Sequence, residues 1–217
     1  MRILTRHVLL TQLSKRPQQR SIFGLGTVTR KNKVMKYGER RLIGFTAEQM
    51  FDVVYTVAEY PQFVPWCKKA DIHRINDRVF EAELYIGFPP LSEQYRSRVT
   101  ALYPNVIRPH FHVENTSTSV ESFSLKSVCT DGQIFNLMET VWRFGPPEIG
   151  YPADSCSLDF TLDFQFKSIL HAQLAQAFFG QVVRKMVCAF LKRAEQLYGP
   201  PSFDHFSTDV QITLPKT

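Results

Sequence analysis

The sequence predicts an α+β domain, a curved antiparallel sheet wrapped around one long C-terminal helix. Three observations carry this. The run SLDFTLDFQFK, Ser157–Lys167, alternates strictly, with Leu or Phe at every even position and a polar residue at every odd one. That is a strand with one apolar face. Next comes Ile169–Tyr198, long enough for a helix that crosses a whole sheet, with apolar residues at helical spacing. Finally, strands follow one another without βαβ alternation, which disfavours a parallel nucleotide-binding sheet.

Taken in order, Tyr37–Phe45 reads as the first strand. Thr46 is a good N-cap, with Glu48 and Gln49 in the first turn, so Ala47–Glu59 is predicted as an amphipathic helix built on Met50, Phe51, Val54 and Val57. Pro61 is expected to stop it, because the residue before proline avoids helical angles. A short turn, Gln62–Trp66, leads into a strand over Lys68–Asn76, and Asn76-Asp77 reads as a turn. Arg78–Gly87 alternates, with Phe80, Ala82, Leu84 and Ile86 on one face and Glu81 and Glu83 on the other. Phe88-Pro89-Pro90-Leu91 is expected to break the strand, because two prolines remove backbone donors. Glu93–Leu102 resumes it, with Tyr95, Val99 and Ala101 opposite Arg96, Arg98 and Thr100. Periodicity marks no further strand until Ile134–Phe144, which carries Met138 and Trp142. Ser168 is the expected cap of the last helix, and Gly199-Pro200-Pro201 its end. The helix stripe comprises Leu170, Leu174, Phe178, Phe179, Val182, Val183, Met186, Phe190 and Leu197, with Arg184, Lys185, Lys192 and Arg193 toward water or the C-terminal end. Residues 200–217 lack periodicity and are expected to form a flexible tail.

Charge narrows the function. The net charge is +6, but residues 1–33 hold eight basic side chains and no acid. Removing those eight of 26 leaves 18 basic against 20 acidic residues, so the body is near neutral and a nucleic-acid partner is not expected. The segment 1–35 combines arginines, hydroxyl residues and an amphipathic apolar side, the pattern of a mitochondrial presequence. Cys67, Cys129, Cys156 and Cys188 form no C-x-x-C and are expected as free thiols. No catalytic constellation or cofactor motif stands out. His110 and His112 lack further metal ligands nearby, Asp159 and Asp163 fit the solvent face of a strand, Gly24-Leu25-Gly26 is no phosphate loop, and Asn115 heads a bare sequon.

Eighteen phenylalanines are more rings than a core of this size needs. A sheet curved around a helix does not close tightly, so an apolar cavity is expected. Its walls would come from Phe80, Leu84, Ile86 and Phe88 on one strand and Val99 on the next. Met138 and Trp142 would follow, then Phe160, Leu162 and Phe164. The last helix would contribute Leu174, Phe178, Val182 and Met186, and the turn YPQFVPWCKK would deliver Phe63 and Trp66 to one end. Lys68 and Lys69 start the next strand, either facing lipid phosphates or simply solvated. With Phe88 and Leu91 they make a candidate membrane-contact set, the Phe88–Leu91 segment serving either as a lid or as a turn packed on its own edge.

The runs RRLIGFTAEQMFDVVYTVAEYPQFVPWCKKADI, YIGFPPLSEQYRSRV, VCTDGQIFNLMETVWRF and LDFTLDFQFKS with FLKRAEQLYG resemble the mitochondrial coenzyme Q-binding proteins of the polyketide cyclase/START superfamily. The resemblance covers 36–199 and implies a helix-grip (START-like) fold. It also implies a non-enzymatic ubiquinone-binding lipid chaperone or carrier, with coenzyme Q as bound ligand and no other cofactor. Such a protein acts at the matrix side of the inner mitochondrial membrane and serves respiratory electron transport. The chain departs from the pattern by extra length within 103–123, read as an insertion. Relatives that bind ribosomes and others that cyclise aromatic polyketides supply the alternatives. Arg96, Arg98 or Tyr95 would meet the quinone ring if they turn inward.

Overall fold

The computed structural model describes residues 34–88, 91–103, 122–133, 135–206 and 210–213, with backbone alone for 88, 91, 169–179 and 213. The basic segment, the glycine pair, His110, His112, Asn115 and most of the expected insertion lie outside the described residues. Eight strands form one antiparallel sheet in the order β2-β3-β4-β5-β6-β7-β1-β8.

β1 is Met35–Ile43, two residues earlier than the sequence suggests. Gly44 cannot extend the ladder because both its backbone groups are taken: its N–H donates to His205 Nδ1 (3.3 Å) and its carbonyl accepts from Ser202 N (2.9 Å). α1, Ala47–Tyr55, starts on the expected cap, and Thr46 and Gln49 form a reciprocal capping box. It ends earlier than expected, at Thr56, whose hydroxyl donates to the Asp52 carbonyl. A 3-10 turn, Val57–Glu59, and a one-turn helix α2, Tyr60–Phe63, follow. Pro61 is therefore no stop signal: it sits in the first turn of α2, where its missing N–H would have no partner anyway.

β2 is Cys67–Arg74 and β3 is Val79–Phe88. Asn76 shapes the turn between them by accepting from the N–H groups of Arg78 and Val79 at 2.9 and 2.8 Å. β4, Leu91–Leu102, pairs with β3 as far as Phe88 opposite Leu91. The expected four-residue break therefore does not include Phe88 or Leu91, and the two prolines between them lie outside the described residues. β5, Phe123–Gly132, is a strand that sequence periodicity misses. Its inward positions include Ser127 and Cys129, opposite Val99 and Ser97, so its burial does not follow its hydrophobicity. β6, Phe135–Gly145, and β7, Cys156–Phe166, fall within one residue of expectation.

α3 spans Ile169–Tyr198 as expected. In its described half the buried stripe is Val183, Val187, Phe190, Leu191 and Ala194. Leu197, assigned to the stripe from sequence, is exposed, and Val182 and Met186 are half-buried at its margin. Beyond Pro200 the chain differs from an unstructured tail. His205 is buried against Phe45, and β8, Gln211–Thr213, pairs with β1. Among the described residues no helix is long and apolar enough to cross a membrane.

Candidate functional site

The inner face of the sheet carries alternate residues of every long strand, and register aligns them. Phe80 stands opposite Val99, Met138 opposite Phe164, Trp142 opposite Phe160 and Thr140 opposite Leu162. The described strand residues among the predicted wall therefore share one face of the sheet, but the two ends of that face differ. At one end Trp142 lies 4.3 Å from Phe160 and 5.0 Å from Phe190 between ring centroids, and Phe144 and Leu158 are fully buried. Tyr60 and Phe63 close over Phe190, each at 5.2 Å and edge-on. This end is packed solid by aromatic contacts. Toward the β3–β4 hairpin the same face stays half-buried at Ile86, Tyr95, Phe135 and Met138, although Leu84 and Phe164 are covered.

The segment from Val57 to Trp66 forms a strap tied to α3. Arg193 donates to Glu59 Oε2 (2.7 Å) and Gln62 Oε1 (3.3 Å), and its guanidinium lies 5.6 Å from the Phe63 ring. It was expected to face water or the helix end. Instead its side chain is mostly covered. Trp66 ends the strap with φ at 66°, a left-handed conformation uncommon for a bulky residue. Its carbonyl accepts from Gly87 N at 2.8 Å, and Lys185 of α3 approaches its ring to 5.9 Å. A surface cleft of about 210 Å³ lies between α1, the strap and the end of α3, lined by Asp52, Thr56, Glu59, Phe63, Arg193 and Tyr198 among others. Of the predicted ligand residues it holds Phe63 alone, so it is separate from the inner-face surface.

The candidate membrane residues part company. Lys69 bonds Asp71 and lies over the Tyr85 ring, so its charge is engaged, and the Asp71 bond raises its pKa. Lys68 is exposed and lays its stem across Gly87, where a Cβ would stand 2.3 Å from Lys68 Cε. A side chain at Gly87 would have to displace the flexible end of Lys68. The side chains of Phe88, Leu91, Leu174 and Phe178 lie outside the described residues.

Arg96 and Arg98 do not turn inward. They lie on the outer face, paired with Glu83 (3.7 Å) and Glu81 (3.3 Å). Tyr95 does face inward, and burial pushes its phenol well above the usual tyrosine value. Sequence reasoning missed a polar group on β1: Tyr37 OH donates to Glu39 Oε2 (2.6 Å), and Arg41 Nε donates to Glu39 Oε1, all three buried. The signal was present, since Tyr37, Glu39, Arg41 and Ile43 alternate along β1 and all face inward. The described cysteines carry free thiols, and burial raises Cys67, Cys129 and Cys156, the last to about 12. They are poor nucleophiles. Asp163 pairs with Lys36 and Asp159 is exposed, as the outer face requires. Among the described residues no cluster of His, Cys, Asp and Glu is placed to hold a metal.

A sheet folded about one terminal helix defines the START class. A START superfamily protein from Mycobacterium smegmatis superposes with a TM-score of 0.55 at 20% identity, over 75% of this chain and 99% of that one. The ZhuI aromatase/cyclase of a Streptomyces superposes equally at 14% identity, over 76% and 95%, a likeness of fold alone. Residues 43–191 match the family described as polyketide cyclase / dehydrase and lipid transport. The mitochondrial coenzyme Q-binding protein COQ10 homolog B of Xenopus laevis is 40% identical over 84% of this chain. The Drosophila melanogaster coenzyme Q-binding protein COQ10 is 36% identical over 76%. This chain spans 67% and 61% of their lengths. The ribosome association toxin RatA of Rickettsia prowazekii is 28% identical over 76% of this chain and 99% of its own. The chain belongs to the polyketide cyclase and lipid transport family, in its coenzyme Q-binding branch.

Proposed function

We propose that this protein binds coenzyme Q between the hairpin end of the inner face and the first half of α3, and acts as a quinone chaperone or carrier rather than an enzyme. The reading rests on one observation. In a face otherwise closed by aromatic packing, Ile86, Tyr95, Phe135 and Met138 stay half-buried around an apolar surface. Each buried methylene is worth about 0.8 kcal/mol, so an isoprenoid tail leaves a bilayer only for a comparable apolar surface. Leu84, Val99, Leu162, Phe164, Val182 and Met186 would share that contact. Trp142 and Phe160 would form its floor. The Phe88–Leu91 hairpin and Lys68 would meet the matrix face of the inner mitochondrial membrane, where the carrier serves respiratory electron transport.

The test is mass spectrometry of lipid that copurifies with the protein from quinone-replete mitochondria. Ubiquinone in stoichiometric yield supports the reading, and its absence from folded protein rejects it. Unchanged quinone mass on incubation separates a carrier from a cyclase. The RatA relative gives one competing reading, ribosome association, which requires cosedimentation with ribosomes on a gradient.

A further inference from the structure

The half-buried end of the inner face is not purely apolar. Ser127 on β5 stands directly opposite Thr140 on β6, and Thr140 opposite Leu162 on β7. Ser97 on β4 is one inward position further along, opposite Ala82 and Cys129, and Tyr95 precedes it on the same face, opposite Gly132. Neighbouring strands are about 4.8 Å apart and successive inward positions about 6.6 Å, so Ser127 and Thr140 are cross-strand neighbours while Ser97 and Tyr95 follow along one edge of the same face. Ala82 presents only a methyl opposite Ser97, and Gly132 lets Glu93, Tyr95 and Cys129 close to within 3.2–3.3 Å of where a Cβ would stand. Ser97 is 1% exposed, and its Oγ makes no hydrogen bond. Tyr95, Ser127 and Thr140 are half-buried on the same face. Burial keeps the Tyr95 phenol protonated and able to donate. The inner-face carboxylates are engaged elsewhere, Glu39 by Tyr37 and Arg41, and Glu93 Oε1 by the Gln133 N–H at 2.6 Å. Arg96 and Arg98 point away.

A buried hydroxyl without a partner is unfavourable unless something else supplies one. We propose that Tyr95, Ser97, Ser127 and Thr140 seat an oxygen-substituted ring, the quinone head, and hold its oxygens by hydrogen bonds. This rests on the coenzyme Q reading above and adds to it. A hydroxyl both gives and takes a hydrogen bond, whereas a guanidinium only gives and a carboxylate only takes. The patch therefore meets the carbonyl oxygens of a quinone and the hydroxyls of a quinol equally, and the site holds both redox forms with similar affinity.

The test measures binding of a short-tailed ubiquinone, its quinol under anaerobic conditions, and a ring-less isoprenoid alcohol to the full chain. Ser97→Ala, Thr140→Val and Tyr95→Phe are compared with the parent. Each variant is expected to lose about three- to tenfold in affinity for both ring ligands and to bind the isoprenoid alcohol unchanged. Ser97→Ala is expected to keep or raise Tm, because it removes a hydroxyl that bonds nothing in the protein. A parent that binds no quinone rejects the coenzyme Q reading. A parent that binds quinone while all three folded variants bind it equally well overturns the hydroxyl site. Quinone and quinol affinities more than tenfold apart in the parent overturn its indifference to redox state.

Discussion

Arg193 of α3 and Glu59 of the strap are joined at 2.7 Å across 134 residues of sequence. That contact fastens the strap carrying Phe63 and Trp66 to the helix over the sheet. The pair is partly exposed, so the ion pair is worth about 1 kcal/mol or less, and the guanidinium over Phe63 adds about 0.5–1 kcal/mol. Arg193→Met should lower stability by about 1–2 kcal/mol in urea titration and speed quinone release. Arg193→Lys should restore little, because one ammonium cannot reach Glu59 and Gln62 while lying flat on Phe63. Release at the parental rate from a folded Arg193→Met protein would count against the strap as a gate.

His205 gives a pH signature. Burial, and then the Arg41 charge, lower its pKa below the ordinary value of 6.5, with Glu195 and Asp204 opposing. In the folded chain it is neutral, with Nδ1 accepting from Gly44, while in the unfolded chain it takes a proton near pH 6.5. Its contribution is therefore intact above pH 6.5 and lost as pH falls from there toward the folded value. Melting temperature should decline between pH 7 and 5, and His205→Phe should show a shallower decline. Parallel curves for the two proteins would refute this assignment.

The two ends of the inner face should respond differently to truncation. Trp142 is wedged between Phe160 and Phe190, so Trp142→Ala should cost about 3–5 kcal/mol in chemical denaturation. Met138 is half-buried, and Met138→Ala should cost less stability and more bound quinone. The reverse order, with Met138→Ala the more destabilised and fully loaded with lipid, would place the ligand elsewhere.

Phe88 ends β3 opposite Leu91, the last described pair of the β3–β4 hairpin. Phe88→Asp should leave the far-ultraviolet circular dichroism unchanged. It should weaken sedimentation with vesicles containing anionic lipid, and Lys68→Glu should weaken it further by about 1 kcal/mol. Unaltered cosedimentation by both variants would remove the hairpin from the membrane surface.

β7 and the capped start of α1 were legible because their residues obey one period and one cap. β5 was not, because Ser127 and Cys129 occupy inward positions that a period-two search expects to be apolar. Those polar positions belong to the proposed ring site, so the residues proposed to give it its chemistry are the ones that hid the strand. Pro61 misled for a different reason: proline ends a helix and begins one equally well, and only Thr56 decides which. Alternation placed the described strand candidates on the inner face. What alternation does not convey is how completely Phe190 fills one end of that face.

β1 is flanked by β7 on one side and β8 on the other. Its ion pair from Lys36 to Asp163 spans 127 positions, and its contact with β8 reaches further still. During synthesis this strand emerges early and finds neither neighbour until nearly everything else has followed. Both its edges stay open for that interval, an invitation to pair with other chains. The same arrangement makes the final closure of the sheet a slow, long-range event.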